Sequence, residues 1–142
     1  MIVIDASALL EVLLQTSAAP AITDRLFDPA ETLHAPFLLD VEILQILRRY
    51  ALTGQIDEAR GREALADFGD LAIERYPHEP LLERAWALRE NLTAYDAVYL
   101  ALAEVLGAVL VTCDGRLARA AESAGGPDVK VAVFPSSGDP GA

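Results

Sequence analysis

The chain has a single cysteine, Cys113, among its 142 residues, so no disulfide can form within it and a reducing compartment is the expected home. Aromatic residues make up only 6%, which leaves Leu, Ala and Val to build the core. Lysine is nearly absent: Lys130 is the only one, and 11 basic residues face 22 acidic ones for a net charge of -11. At face value that balance repels nucleic acid and anionic lipid, and any phosphate contact must come from arginine. No apolar run reaches the roughly 18 uncharged residues of a membrane span. The first run is cut by Asp5 and lacks a basic leader, so neither a signal peptide nor a membrane location is expected, and the reading is a soluble cytoplasmic protein. The phosphate loop G-x-x-x-x-G-K-[ST] and the nucleophile elbow G-x-S-x-G are both missing, which disfavours ATP and serine-hydrolase chemistry. His34 and His78 lack the spacing of metal ligands, so surface or capping roles are expected for them.

Apolar residues, at 53%, are too abundant for a disordered chain, and the length suits one domain that buries about two-thirds of its unfolded surface. The β-branched run Ile2–Ile4 reads as a strand ended by Asp5. Two short helices follow, SALLEVLLQ and APAITDRLF, with Ser7 and either Ser17 or Thr16 as expected caps. LHAP reads as a second strand. A helix from about Phe37 to Leu52 has Pro36 suited to its first turn and Gly54 beyond its end.

Asp57–Asp70 reads as a helix, LAIERY as a strand and Leu81–Glu90 as a helix. A further helix starts within NLTAYD and runs to about Leu106, with Gly107 as its stop. AVLVT, DGRLARAAESAG and VKVAVF complete a strand, a helix and a last strand. Strands alternating with helices imply a three-layer α/β/α domain over residues 1–134, with a mostly parallel central sheet. Residues 135–142 are expected to be a disordered tail.

In open α/β sheets, sites form outside the carboxyl ends of strands. Asp5 and Asp114 each follow a strand there and precede a helix, so each is a candidate ligand as well as a candidate helix cap. Asp96 falls in the first turn of its helix behind Thr93, a capping-box arrangement. The rest of that helix is apolar nearly all round, which buries it and leaves the carboxylate in need of a cation or hydrogen bonds. Cys113, in an apolar strand, reads as a small core residue. In FLLDVEILQILRRY, Asp40 and Glu42 flank the apolar sector at its two borders, and the helical period does not choose between them. Carboxylates gathered together raise one another's pKa unless a cation intervenes, and oxygen-only donors favour Mg²⁺ or Mn²⁺.

The ordered set VIDAS, DVEILQ, LTAYDAVYLALAE and LVTCDGRLARAA resembles the PIN-domain family, specifically the VapC toxins of prokaryotic toxin–antitoxin pairs. The resemblance covers Met1 to about Phe134. It implies a PIN-like fold and an acidic quartet at Asp5, Glu42, Asp96 and Asp114, thereby selecting Glu42 over Asp40. It implies a Mg²⁺- or Mn²⁺-dependent ribonuclease in which Asp5 and Asp96 mainly hold the ion. Glu42 and Asp114 then complete the outer coordination, bind a second ion or orient the attacking water. Ser7 and Thr112 match polar positions beside the first and fourth acids and are expected to hydrogen-bond a carboxylate or a ligated water.

Arg48, Arg49, Arg89, Arg116 and Arg119 lie near the motif segments and are candidates for flanking phosphates. The resemblance also implies an RNA substrate, a VapB-type antitoxin partner and a homodimer. Two other readings compete: a non-catalytic binding module on the same scaffold, and a Mg²⁺-binding phosphoacceptor receiver domain. The receiver would need a lysine at the end of the last strand, whereas Lys130 stands near its beginning.

Overall fold

The computed structural model describes residues 1–126 and 128–138. Five strands form one sheet: β1 (Ile2–Ile4), β2 (Leu33–Pro36), β3 (Ile73–Tyr76), β4 (Val109–Thr112) and β5 (Lys130–Val133). The helices are α1 (Ala6–Leu13), α2 (Ala19–Leu26), α3 (Leu38–Leu52), α4 (Glu58–Asp70), α5 (Leu82–Ala87), α6 (Ala94–Leu106) and α7 (Gly115–Ala124), with a 3₁₀ turn at Glu79–Leu81. The strand order is β3-β2-β1-β4-β5, and every neighbouring pair is parallel.

That order dictates the layers. The chain steps one way from β1 through β2 to β3, then crosses back to β4 and steps the other way to β5. Right-handed crossovers therefore place α1–α4 on one face and α5–α7 on the other, giving the three-layer α/β/α domain. The direction reverses between β1 and β4, the place where such sheets open a crevice beyond their strand ends.

The core follows from the apolar runs. Ile2, Val3 and Ile4 have no solvent exposure, as a central parallel strand covered on both faces requires. In α6 seven consecutive residues, Ala97 to Ala103, are buried; it packs on β1, β2 and β4 with α5 against it. Truncating a fully buried leucine there, such as Leu100, would cost about 2–5 kcal/mol. α6 ends at Gly107, whose φ of 60° is the left-handed cap conformation that favours glycine.

Some local expectations are corrected. Asp5, not Ser7, caps α1, accepting from the Ala8 amide at 3.0 Å. The Ser7 hydroxyl instead donates back to Asp5. α2 has no side-chain cap and starts with Pro20 in its first turn; the Thr16 hydroxyl accepts from the Ala18 amide ahead of it. Pro36 ends β2 rather than opening α3, and the free first-turn amide of Leu38 donates to His78 Nε2 at 2.9 Å. His34 is buried, not on the surface, between Thr32 and Tyr76 at 2.8 Å each. Burial lowers its pKa, so it stays neutral.

Of the expected tail, the Ser137 amide donates to Glu11 Oε1 at 3.2 Å, and residues 139–142 lie outside the described residues. No helix among the described residues is long and apolar enough to cross a membrane.

Candidate active site

The crevice between β1 and β4 receives one aspartate from each side. Asp5 is the residue after β1, and its amide donates to the Val111 carbonyl of β4 at 3.3 Å. Asp114 stands two residues after β4 and caps α7, accepting from the Arg116 and Leu117 amides at 2.9 and 3.2 Å. Both carboxylates are therefore caps as well as crevice residues, and capping fixes where they point.

Asp5 is held entirely by neutral donors. Ser7 Oγ and the Ala8 amide donate to its Oδ1 at 2.7 and 3.0 Å, and the Thr112 hydroxyl donates to Oδ2. The two hydroxyls are themselves steered, because Ser7 Oγ accepts from the Cys113 amide and Thr112 Oγ1 from the Asp114 amide, each at 2.9 Å. With 6% exposure, burial pushes the Asp5 pKa up from 3.8 to about 6; the Thr112, Ala8 and Ser7 bonds pull against this, and the Asp114 charge adds to it.

The second pair comes from α3 and α6. Thr93 caps α6 by accepting from the Asp96 amide at 3.2 Å. Burial raises the Asp96 pKa, Asp114 raises it further, and Arg116 opposes. Glu42 accepts a 2.6 Å hydrogen bond from the hydroxyl of Tyr99, one turn along from Asp96. Burial also raises its pKa, with the Tyr99 bond opposing and the Asp96 charge adding. Asp40 points elsewhere, into an ion pair with Arg75 at 2.7 Å.

The charges thus form a chain of influence, Asp5 with Asp114, Asp114 with Asp96, and Asp96 with Glu42. Among the described residues, no three Asp, Glu, His or Cys side chains close on a common centre as a ready-made metal cage. The arrangement is a negative rim with Arg116 at its border. Such a rim attracts a hydrated hard cation, and its all-oxygen donor set suits one.

Comparison with known proteins identifies the family. The PIN domain model matches residues 2–123. The chain belongs to the PIN domain family. Ribonuclease VapC9 of Mycobacterium tuberculosis is 50% identical over 117 residues, covering 82% of this chain and 88% of the relative. Ribonuclease VapC12 of the same organism is 43% identical over 119 residues, covering 84% and 91%. The crystal structure of VapBC2 from Rickettsia felis bound to a promoter DNA fragment superposes with a TM-score of 0.67 at 12% identity, covering 94% of this chain and 99% of that one; at that identity it speaks for the fold alone.

Within this PIN domain, several residues differ from their sequence reading. Tyr99 was not singled out by the sequence, since an aromatic inside an apolar helix reads as core. It is core at 2% exposure, yet its hydroxyl reaches Glu42. Its own pKa is raised far above the usual tyrosine value by burial and then by the Glu42, Asp5 and Asp96 charges. Cys113 is half-buried: it packs against the core as expected and also lines a groove; burial, with Asp5 and Glu11 nearby, pushes its thiol up to about 12, so it stays protonated and unreactive. Lys130 is exposed at the start of β5. In a parallel sheet that is the end away from the acidic rim, so the receiver-domain arrangement does not form.

Proposed function

We propose that this PIN domain is a metal-dependent endoribonuclease that hydrolyses RNA phosphodiester bonds as the toxin of a VapB–VapC pair. The observation that carries the reading is Asp5: a carboxylate buried at a sheet's switch point, held ionisable by neutral donors and flanked by further carboxylates rather than by a cation. A buried charge of this kind is costly unless an ion completes it. Identity to chains named as ribonucleases supports the choice of RNA.

Asp5 and Asp96 are the residues that would hold Mg²⁺, with Mn²⁺ as substitute. Mg²⁺ keeps several waters and needs only one or two carboxylates from the protein, which Asp5 and Asp96 would supply. Bound there, a divalent ion would supply a water of lowered pKa and neutralise charge on the phosphoryl oxygens.

The chain's own residues prepare the rest. Ser7 and Thr112 fix the Asp5 carboxylate in one orientation. The first amides of α7 hold Oδ1 of Asp114 and leave Oδ2 for a water or ion. Tyr99 keeps Glu42 turned into the crevice, where its raised pKa suits it to accept a proton from the attacking water.

A VapB-type antitoxin and a second copy of the chain are the protein partners in this reading, with the cytoplasm as its setting. Phe37, just ahead of α3, and Val41, Leu44 and Leu52 on it are each 50–71% exposed, apolar surface of the kind partners cover. The test is RNA cleavage in Mg²⁺ or Mn²⁺ by the wild type, Asp5→Asn and Asp96→Asn. Metal-dependent cleavage lost in both variants is the expected result, and cleavage that persists in them would remove the mechanism.

A further inference from the structure

The arginines divide by what they touch. Arg25, Arg60, Arg62, Arg75 and Arg84 each pair with a carboxylate. Arg48, Arg49, Arg89, Arg116 and Arg119 pair with none among the described residues. In a chain with 22 acidic residues to 11 basic ones, arginines left without a carboxylate have been kept from the abundant partner and stay available to another anion.

One of them lies on a built feature. A groove of about 790 Å³ is lined by Ser7, Cys113 and Asp114, by Arg49, Tyr50 and Gln55, and by Ser136–Gly138 of the C-terminal segment. This size falls within the range of about 300–1,000 Å³ typical of small-ligand sites. Arg49 is the single cation among its lining residues, and its guanidinium lies 5.7 Å from the centroid of the Tyr50 ring. The turn after α3 is stitched back onto Tyr50, whose carbonyl accepts from the Gln55 and Ile56 amides at 2.9 and 3.3 Å. Gln55 lines the groove as well. Glu11, which also lines the groove, is engaged by the Thr16 hydroxyl and by Ser137.

We infer that this groove is a nucleotide subsite that seats one unpaired nucleotide of the RNA next to the scissile phosphate. Tyr50 supplies a face for the base, Arg49 a contact for the adjoining phosphate and Gln55 an amide for the base edge. The inference rests on the ribonuclease reading. It commits to a single-stranded stretch, because an aromatic ring beside a guanidinium recognises bases that are splayed out, whereas a duplex keeps its base faces stacked. The groove shares Ser7 and Asp114 with the acidic rim, so a nucleotide seated there sets which phosphate reaches the acids.

The test uses the full-length protein and a set of single-stranded RNA oligonucleotides in Mg²⁺, with wild type, Tyr50→Ala, Tyr50→Phe and Arg49→Gln. Stacking on an aromatic side chain predicts a rise in KM of about fivefold to a hundredfold for Tyr50→Ala, with Tyr50→Phe restoring most of it. Arg49→Gln should reduce the salt dependence of RNA binding by close to one phosphate contact. Antitoxin affinity is measured in parallel. Unchanged KM and salt dependence in an active enzyme, or a loss seen only in antitoxin binding, overturns the subsite while leaving the ribonuclease reading intact. A wild type that neither cleaves nor binds RNA overturns both.

Discussion

Tyr99 and Glu42 stand 57 positions apart, yet a 2.6 Å hydrogen bond joins the buried hydroxyl to the carboxylate. Tyr99→Phe keeps the ring in place and removes only the donor. Hydrogen bonds to charged groups are worth about 1.5–3 kcal/mol, so kcat should fall roughly tenfold to a hundredfold. The same bond counts toward folding, so thermal denaturation should show a stability loss of up to that size, and kcat measured well below the melting temperature separates loss of positioning from loss of fold.

Asp5 gives the protein an unusual pH dependence. Its folded pKa of about 6 lies above its ordinary value of 3.8, so the folded state binds the proton more tightly than the unfolded state. Stability from this group is greatest below about pH 4 and falls as pH rises to about 6. Above that it carries a penalty on the order of 3 kcal/mol. Asp5→Asn should therefore make the metal-free protein more stable than wild type at neutral pH, with the gap closing in acid. Urea unfolding across that range reads it directly.

Divalent metal should relieve the same penalty. Mg²⁺ or Mn²⁺ at about a hundred times Kd is expected to stabilise the wild type by ~2.7 kcal/mol, and a chelator should reverse it. Asp5→Asn and Asp96→Asn should lose most of the shift in a thermal-melt titration.

Glu104 behaves with the opposite sign. Arg84 donates to its two oxygens at 2.7 and 2.9 Å, and the Gly126 amide donates at 2.9 Å. Arg84 chiefly holds its pKa below the usual 4.5, despite the opposing effect of burial. Its stabilisation is present above that value and is lost as pH falls below it. Glu104→Gln should cost about 1 kcal/mol at neutral pH and leave RNA cleavage untouched, as unfolding and activity assays would show together.

The sequence was most informative where a local rule suffices. Ile2–Ile4 and Val109–Thr112 are strands because β-branched and apolar runs are stable when covered on both faces, and Gly107 ends α6 because it accepts a positive φ. The positions of Asp5 and Asp114 followed from the strands that precede them. Asp40 and Glu42 could not be told apart by helical period, since both border one apolar sector; what separates them is Arg75 on one side and Tyr99 on the other, partners far away in the chain. The family resemblance chose Glu42 where the period was silent. His34 was misjudged, and the groove beside Cys113 was missed, for a related reason. Residue type gives a preference for burial, but whether a groove opens beside one strand end or closes over another depends on which helices cover it.

Parallel strands also sort the molecule's nucleophilic nitrogens. The Met1 amino group, paired with Glu31 at 2.8 Å, and the lone lysine both sit where strands begin, Ile2 and Lys130 each being in register with Val109. Amine-directed coupling would therefore graft this protein to a bead, dye or sensor chip by its blunt underside, leaving the carboxylate-lined edge facing the solution.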